Sequence, residues 1–183
     1  YCFSNHLSVL NISQNEALKQ LYCYDNLLKT LDTAKNHELS ILSCHHNHLS
    51  VLDMTQNAEL EYLHCYANQL TELVFSRNPK LVYIDCEFNQ LQCLALQGLS
   101  NLQELICSEN QLSSLDLSNL DNFSDLRCNY NILEITAPNG TFDLTSLPDF
   151  NVSKASGWTN GTVDNNVLTV SDSGTVTYLY DCG

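Results

Sequence analysis

The sequence predicts a leucine-rich-repeat solenoid: a parallel β-sheet on the concave face, loops or 3-10 turns on the convex face, and a small β-rich C-terminal cap. Three observations carry this. Seven of the nine cysteines (Cys2, Cys23, Cys44, Cys65, Cys86, Cys107 and Cys128) stand 21 residues apart. An asparagine follows each by three residues, from Asn5 to Asn131, and a leucine follows each asparagine by two, from Leu7 to Leu133. The period then stops near Ile135 and gives way to short β-prone runs. A fixed repeat of this length marks units that bury their apolar faces by stacking on one another.

The unit reads L-x-x-L-x-C-x-x-N-x-L. Leu21, Leu42, Leu63, Ile84, Leu105 and Leu126 precede the cysteine by two, so L-x-C alternates as a short strand with one face inward. Stacked coils place these strands side by side, about 4.8 Å apart. The cysteines then fill one narrow apolar slot per coil. Neighbouring thiols point the same way, which is poor disulfide geometry, and they face away from solvent. They are expected to be buried and reduced, neither metal ligands nor nucleophiles. The asparagine falls where the chain leaves the strand, where a buried amide can satisfy unpaired backbone groups. A second column, Asn15, Asn36, Asn57 and Asn78, is expected to turn the outer arc. It fails at Leu99 and Leu120, which predicts a different convex path in the last two coils.

The domain reading is a solenoid over 1–136 and a β-rich capping segment over 137–183. Ala137-Pro138-Asn139-Gly140 is a turn signal. Val167–Val170 and Val176–Tyr180 read as strands, joined as a hairpin through Ser171–Gly174. Trp158, the single tryptophan, is expected to plug the core of this segment. Tyr1 begins inside a strand pattern and the last residue closely follows another, so the chain is read as a fragment of a larger protein.

Twenty-one acidic against seven basic side chains give a net charge of −14. That surface repels phosphate backbones and anionic lipid, which disfavours nucleic acid, and no apolar run is long enough for direct membrane insertion. The 21-residue unit with cysteine in the strand resembles bacterial leucine-rich-repeat proteins of the internalin type, over about residues 1–136. The tail resembles the β-rich segment that follows such repeats in surface proteins of gut-type bacteria. The resemblance implies a secreted or cell-surface protein that binds a protein or glycan ligand, on a host or neighbouring cell.

If L and C point inward, the residues around them face the concave side. There the first four coils are crowded with tyrosine and histidine, which the core does not demand. The expected ligand strip is Tyr22, Tyr24, His45, Tyr62, His64, Tyr66 and Tyr83, with Asp85, Glu87 and Phe88 at its edge. Tyrosine supplies rigid contact area with a polar tip, although exposed aromatics also stabilise strands by stacking. Cys44-His45-His46-Asn47-His48 invites a metal reading, but successive strand residues diverge, so no metal and no cofactor is expected. His64 beside Asp85 is expected to make a pH-sensitive cross-strand pair.

No phosphate loop, nucleophile elbow or distinctive acid pair is present in the sequence, so no catalytic residue is assigned. The favoured function is an adhesin-like recognition module. The alternatives are a structural spacer without a ligand of its own and a non-catalytic part of a larger enzyme.

Overall fold

The computed structural model of the chain describes residues 1–113, 115–117, 120, 122–128, 131, 140–146, 151–170 and 176–180. Leu133, the Ala137–Asn139 turn signal, the Ser171–Gly174 loop and Cys182 lie outside them. Six three-residue strands, β1 (Gln20–Tyr22), β2 (Ile41–Ser43), β3 (Tyr62–His64), β4 (Tyr83–Asp85), β5 (Glu104–Ile106) and β6 (Asp125–Arg127), form one parallel sheet in chain order. Each residue pairs with its counterpart one repeat on: Leu21 with Leu42, Leu42 with Leu63, Leu63 with Ile84. The first coil forms no assigned strand, yet the Cys2 amide donates to the Tyr22 carbonyl at 2.9 Å and extends the same ladder.

The repeated apolar positions close into one continuous core. Cys23, Cys44, Cys65, Cys86 and Cys107 have no solvent exposure, and all eight described cysteines are free thiols. Burial pushes the Cys23 thiol up to about 12 and those of Cys44, Cys65 and Cys86 well above the ordinary value. Such thiols are neither nucleophiles nor ready metal ligands.

The strand-exit asparagines bind two coils at once. Asn68 Nδ2 donates to the Cys44, Cys65 and Tyr66 carbonyls at 3.1, 3.0 and 3.3 Å, and its Oδ1 accepts from the Leu49 amide at 2.9 Å. The same pattern recurs at Asn47, Asn89 and Asn110.

The outer column does more than turn the arc. Asn36, Asn57 and Asn78 are buried, and each Nδ2 donates to two carbonyls of the preceding coil. Only at Asn57 does Oδ1 also have a partner, the Thr33 hydroxyl at 2.7 Å; Asn36 Oδ1 and Asn78 Oδ1 have none. The expected change of path in the last coils is not what occurs. Leu99 and Leu102 donate to Leu96 and Leu99 in the same double turn that Asn78 and Leu81 make, and Leu120 and Phe123 repeat it. Those turns are closed by backbone bonds, so the leucines simply bury in place of the amides. Among the described residues of these turns, Gly98 differs, at φ +89.

The tail has its own small core around Leu144 and Leu168. Strands β7 (Thr141–Asp143), β9 (Gly161–Asp164) and β10 (Val167–Val170) form an antiparallel sheet in the order β7-β10-β9, and β8 (Ala155–Thr159) pairs with β11 (Thr177–Tyr180). Both predicted strand runs exist, but the predicted hairpin between them does not. Asn165 and Asn166, both at positive φ, make the tight turn that pairs β10 with β9 instead. Trp158 packs on this core and stacks on Tyr178 at 4.7 Å, as expected of a plug.

Candidate functional site

Beside the leading residues of the strands, among them Tyr62 and Tyr83, three further side-chain rows build the concave surface. The last residue of each strand gives one row: Tyr22, Ser43, His64, Asp85, Ile106, Arg127. Ser43, Asp85 and Ile106 are buried there, while Arg127 is exposed. Arg127 lies 3.5 Å from Asp125 and 4.0 Å from Glu104.

The residue after each cysteine gives the second row. Phe3, Tyr24, His45 and Tyr66 stack face to face, with ring centroids 4.6, 4.4 and 4.2 Å apart and planes within 4°, 11° and 8°. Parallel register puts identical backbone positions one strand spacing apart, about 4.8 Å, which is close to the centroid separation of offset-stacked aromatic rings. Glu87 and the buried Ser108 continue the row without rings. Asn129, the next position, lies outside the described residues.

The third row stands in a left-handed backbone conformation: Ser4, Asp25, His46, Ala67, Phe88 and Glu109 all have φ between 50° and 53°. Tyr130, the next position, lies outside the described residues. This bend ends the strand geometry directly after the second row, so His46 does not diverge from His45. Their rings meet edge to face at 5.5 Å, and His46 meets Tyr66 at 5.2 Å. Asp25, His45 and His46 each offer a ligating atom, all within 4.8 Å of one another.

The expected strip thus separates into parts. Tyr24, His45 and Tyr66 lie in one stack. Tyr62, His64, Tyr83 and Asp85 form a second group, in which the His64 and Tyr83 rings are 4.8 Å apart and tilted. Tyr22 stacks on Tyr1 rather than joining either. Tyr62 and Phe88 are exposed. His64 and Asp85 are register neighbours on β3 and β4 but form no ion pair, contrary to expectation. Asp85 Oδ1 instead accepts from the Glu87 amide at 3.4 Å.

Burial dominates the electrostatics. It pushes the Asp85 carboxyl up to about 6, against the hydrogen bond from the Glu87 amide and the Arg127 charge and with the Glu87 and Glu104 carboxylates adding to the shift. It lowers His64, and it brings His45 down to about 4 with help from His46 and against Asp25. Tyr83 rises to about 12 through burial and the nearby carboxylates. Phe3, Asp25 and His46 were missing from the sequence-based strip. Phe3 was visible as the member of the Tyr24 column one repeat earlier, whereas the Asp25–His46 approach depends on the left-handed bend.

No protein-family model and no curated protein matches the chain. Solved structures do. The functional domain of InlJ from Listeria monocytogenes, which includes a cysteine ladder, is 29% identical with a TM-score of 0.68, over 72% of this chain and 29% of that one. A leucine-rich-repeat protein of Leptospira interrogans is 27% identical with a TM-score of 0.66, over 72% of this chain and 36% of that one. The chain therefore matches about a third of the length of either. The repeat region is an internalin-like leucine-rich-repeat solenoid.

Proposed function

We propose that this solenoid is a protein-recognition module whose concave face binds its partner non-covalently. The observation that carries the reading is the continuous ring stack Phe3–Tyr24–His45–Tyr66, flanked by the exposed rings of Tyr62 and Phe88. Stacking consumes the ring faces, so the rail presents rigid edges and tyrosine hydroxyls. That combination gives contact area at low entropic cost together with hydrogen-bonding tips. Asp25, Glu87 and Glu109 beside it, and the net charge of −14, favour a partner with a basic contact surface. A secreted or cell-surface setting follows from the internalin-type resemblance and belongs to the same proposal.

The test is capture from an extracellular-protein panel and a glycan array, using wild type and Tyr62→Ala/Tyr66→Ala. Binding should weaken by about 1–2 kcal/mol or more, with the circular-dichroism spectrum retained. A protein ligand bound equally well by both forms would move the site off the concave face. Ligands found only on the glycan array would replace the protein partner with a carbohydrate.

A further inference from the structure

We propose that Asp25, His45 and His46 form a binding site for one divalent cation of the zinc, nickel and cobalt class. Three observations converge on it. First, the ligating atoms of these two imidazoles and one carboxylate already lie within 4.8 Å of one another. Zinc bound at about 2.0–2.2 Å to nitrogen and oxygen needs its donors closer than that, so the shell must tighten. Asp25 and His46 are exposed at the rim and can turn inward without disturbing the core.

Second, the site is held by the architecture. Asp25 and His46 occupy the same position in consecutive coils, at φ 52 and 50, so the parallel register sets them side by side. The left-handed bend then brings His46 against the ring of its own neighbour. His45 is clamped between Tyr24 and Tyr66, at 4.4 and 4.2 Å, which fixes its plane before any ion arrives. No adjacent pair of coils in the described residues repeats this set: the equivalents of His46 in the following three coils are Ala67, Phe88 and Glu109.

Third, Nδ1 of His45 is buried and has no hydrogen-bond partner. A polar ring nitrogen without a partner is costly to bury, and a bound cation is the kind of group that removes such an orphan. Two imidazoles and one carboxylate suit a borderline transition metal better than calcium or magnesium, which take oxygen donors. Three protein donors leave at least one coordination position open toward the concave side, for water or for a partner's own donor atom.

The experiment is equilibrium dialysis and calorimetry of zinc chloride against the whole chain near neutral pH. Cys93 and Cys182 are replaced by serine, so that thiols outside the buried ladder take no metal. The expected result is one bound equivalent, with affinity reduced on the order of tenfold or more by Asp25→Asn and by His46→Asn. Asparagine tolerates the left-handed backbone, so both variants should keep the fold. His37→Gln, on the convex side, should bind as the parent does. Cobalt in place of zinc should give visible absorption bands without sulfur-to-metal charge transfer. Absence of binding to the parent, undiminished binding by both site variants, or a sulfur charge-transfer band would each overturn the proposal. None of these outcomes bears on protein capture by the Tyr62/Tyr66 surface.

Discussion

The two faces of the sheet obey different rules although they share one backbone. The inward face is the same in every coil: leucine or isoleucine, then cysteine, then the bound asparagine, each returning after 21 residues. The concave face changes from coil to coil, running Tyr22, Ser43, His64, Asp85, Ile106, Arg127 along a single row. The inward slots are closed by their neighbours above and below, so one solution repeats. The concave slots are open on one side, and stacking leaves their chemistry free. Sequence constancy therefore marks where packing decides, and variation marks where something else does.

The sharpest way to break this contrast is at the inward asparagines. Asn68→Ala strands the Leu49 amide in a dry turn and takes one of two donors from each of the Cys44, Cys65 and Tyr66 carbonyls, and should cost about 2–3 kcal/mol. Asn57→Ala, on the outer arc, loses two carbonyl partners and the Thr33 hydroxyl, and should cost less, about 1–2 kcal/mol. The exposed Asn15 should be nearly neutral. Chemical denaturation ranks the three; equal small losses at Asn68 and Asn15 would refute the role of the inner column.

Cys65→Ser probes the same face with a smaller change. A hydroxyl in a fully buried slot should cost about 1–2 kcal/mol. In the parent, thiol reagents should label Cys93 quickly and Cys65 only on unfolding. Rapid labelling of Cys65 in the folded protein would show that the slot is not closed.

These contrasts explain what the sequence made visible. The Leu, Cys and Asn columns were legible because a closed slot repeats its demand at every coil. The aromatic bias of the concave face was legible for the converse reason: the core does not require it. The cation-binding cluster was not, because two adjacent histidines diverge on a regular strand, and only the bend at His46 brings them together. The absence of a His64–Asp85 ion pair was equally hidden, since register fixes which residues are neighbours but not where their side chains turn. In the tail, the strands were legible as β-branched runs. Their partners were not, because Asn165-Asn166 won the hairpin over the longer Ser171–Gly174 stretch.

Asp85 tests whether the concave face carries a stability cost. Its folded-state value is raised from 3.8 to about 6, so the folded chain holds the proton more tightly than the unfolded one. The resulting contribution is fully present below the unfolded value and is lost as pH rises through about 6. Asp85→Asn should thus be more stable than the parent at alkaline pH, by about 1 kcal/mol after discounting for solvent at the open face, and the gap should close toward about pH 4. Denaturant midpoints across that range would settle it. A variant less stable than its parent at high pH would mean that the carboxylate is favourably held.

The smallest expected effect concerns the left-handed row. Ala67 stands at φ 51, a conformation in which a Cβ crowds the following carbonyl. Its exposure is intermediate and its side chain is a single methyl, so little packing is lost when that methyl is removed. Ala67→Gly should therefore stabilise the protein by about 0.5–1 kcal/mol, relief of strain outweighing the added freedom of the unfolded chain. Ala95 supplies the control. It is exposed on a short parallel bridge with Val74 and has no positive φ, so Ala95→Gly should destabilise by about 0.5–1 kcal/mol. Opposite signs at two alanines would show that the row beside the aromatic rail holds its side chains against the preference of the backbone. If both changes destabilise, the row stores no such strain, and the concave face is as much a product of stability as the inward one.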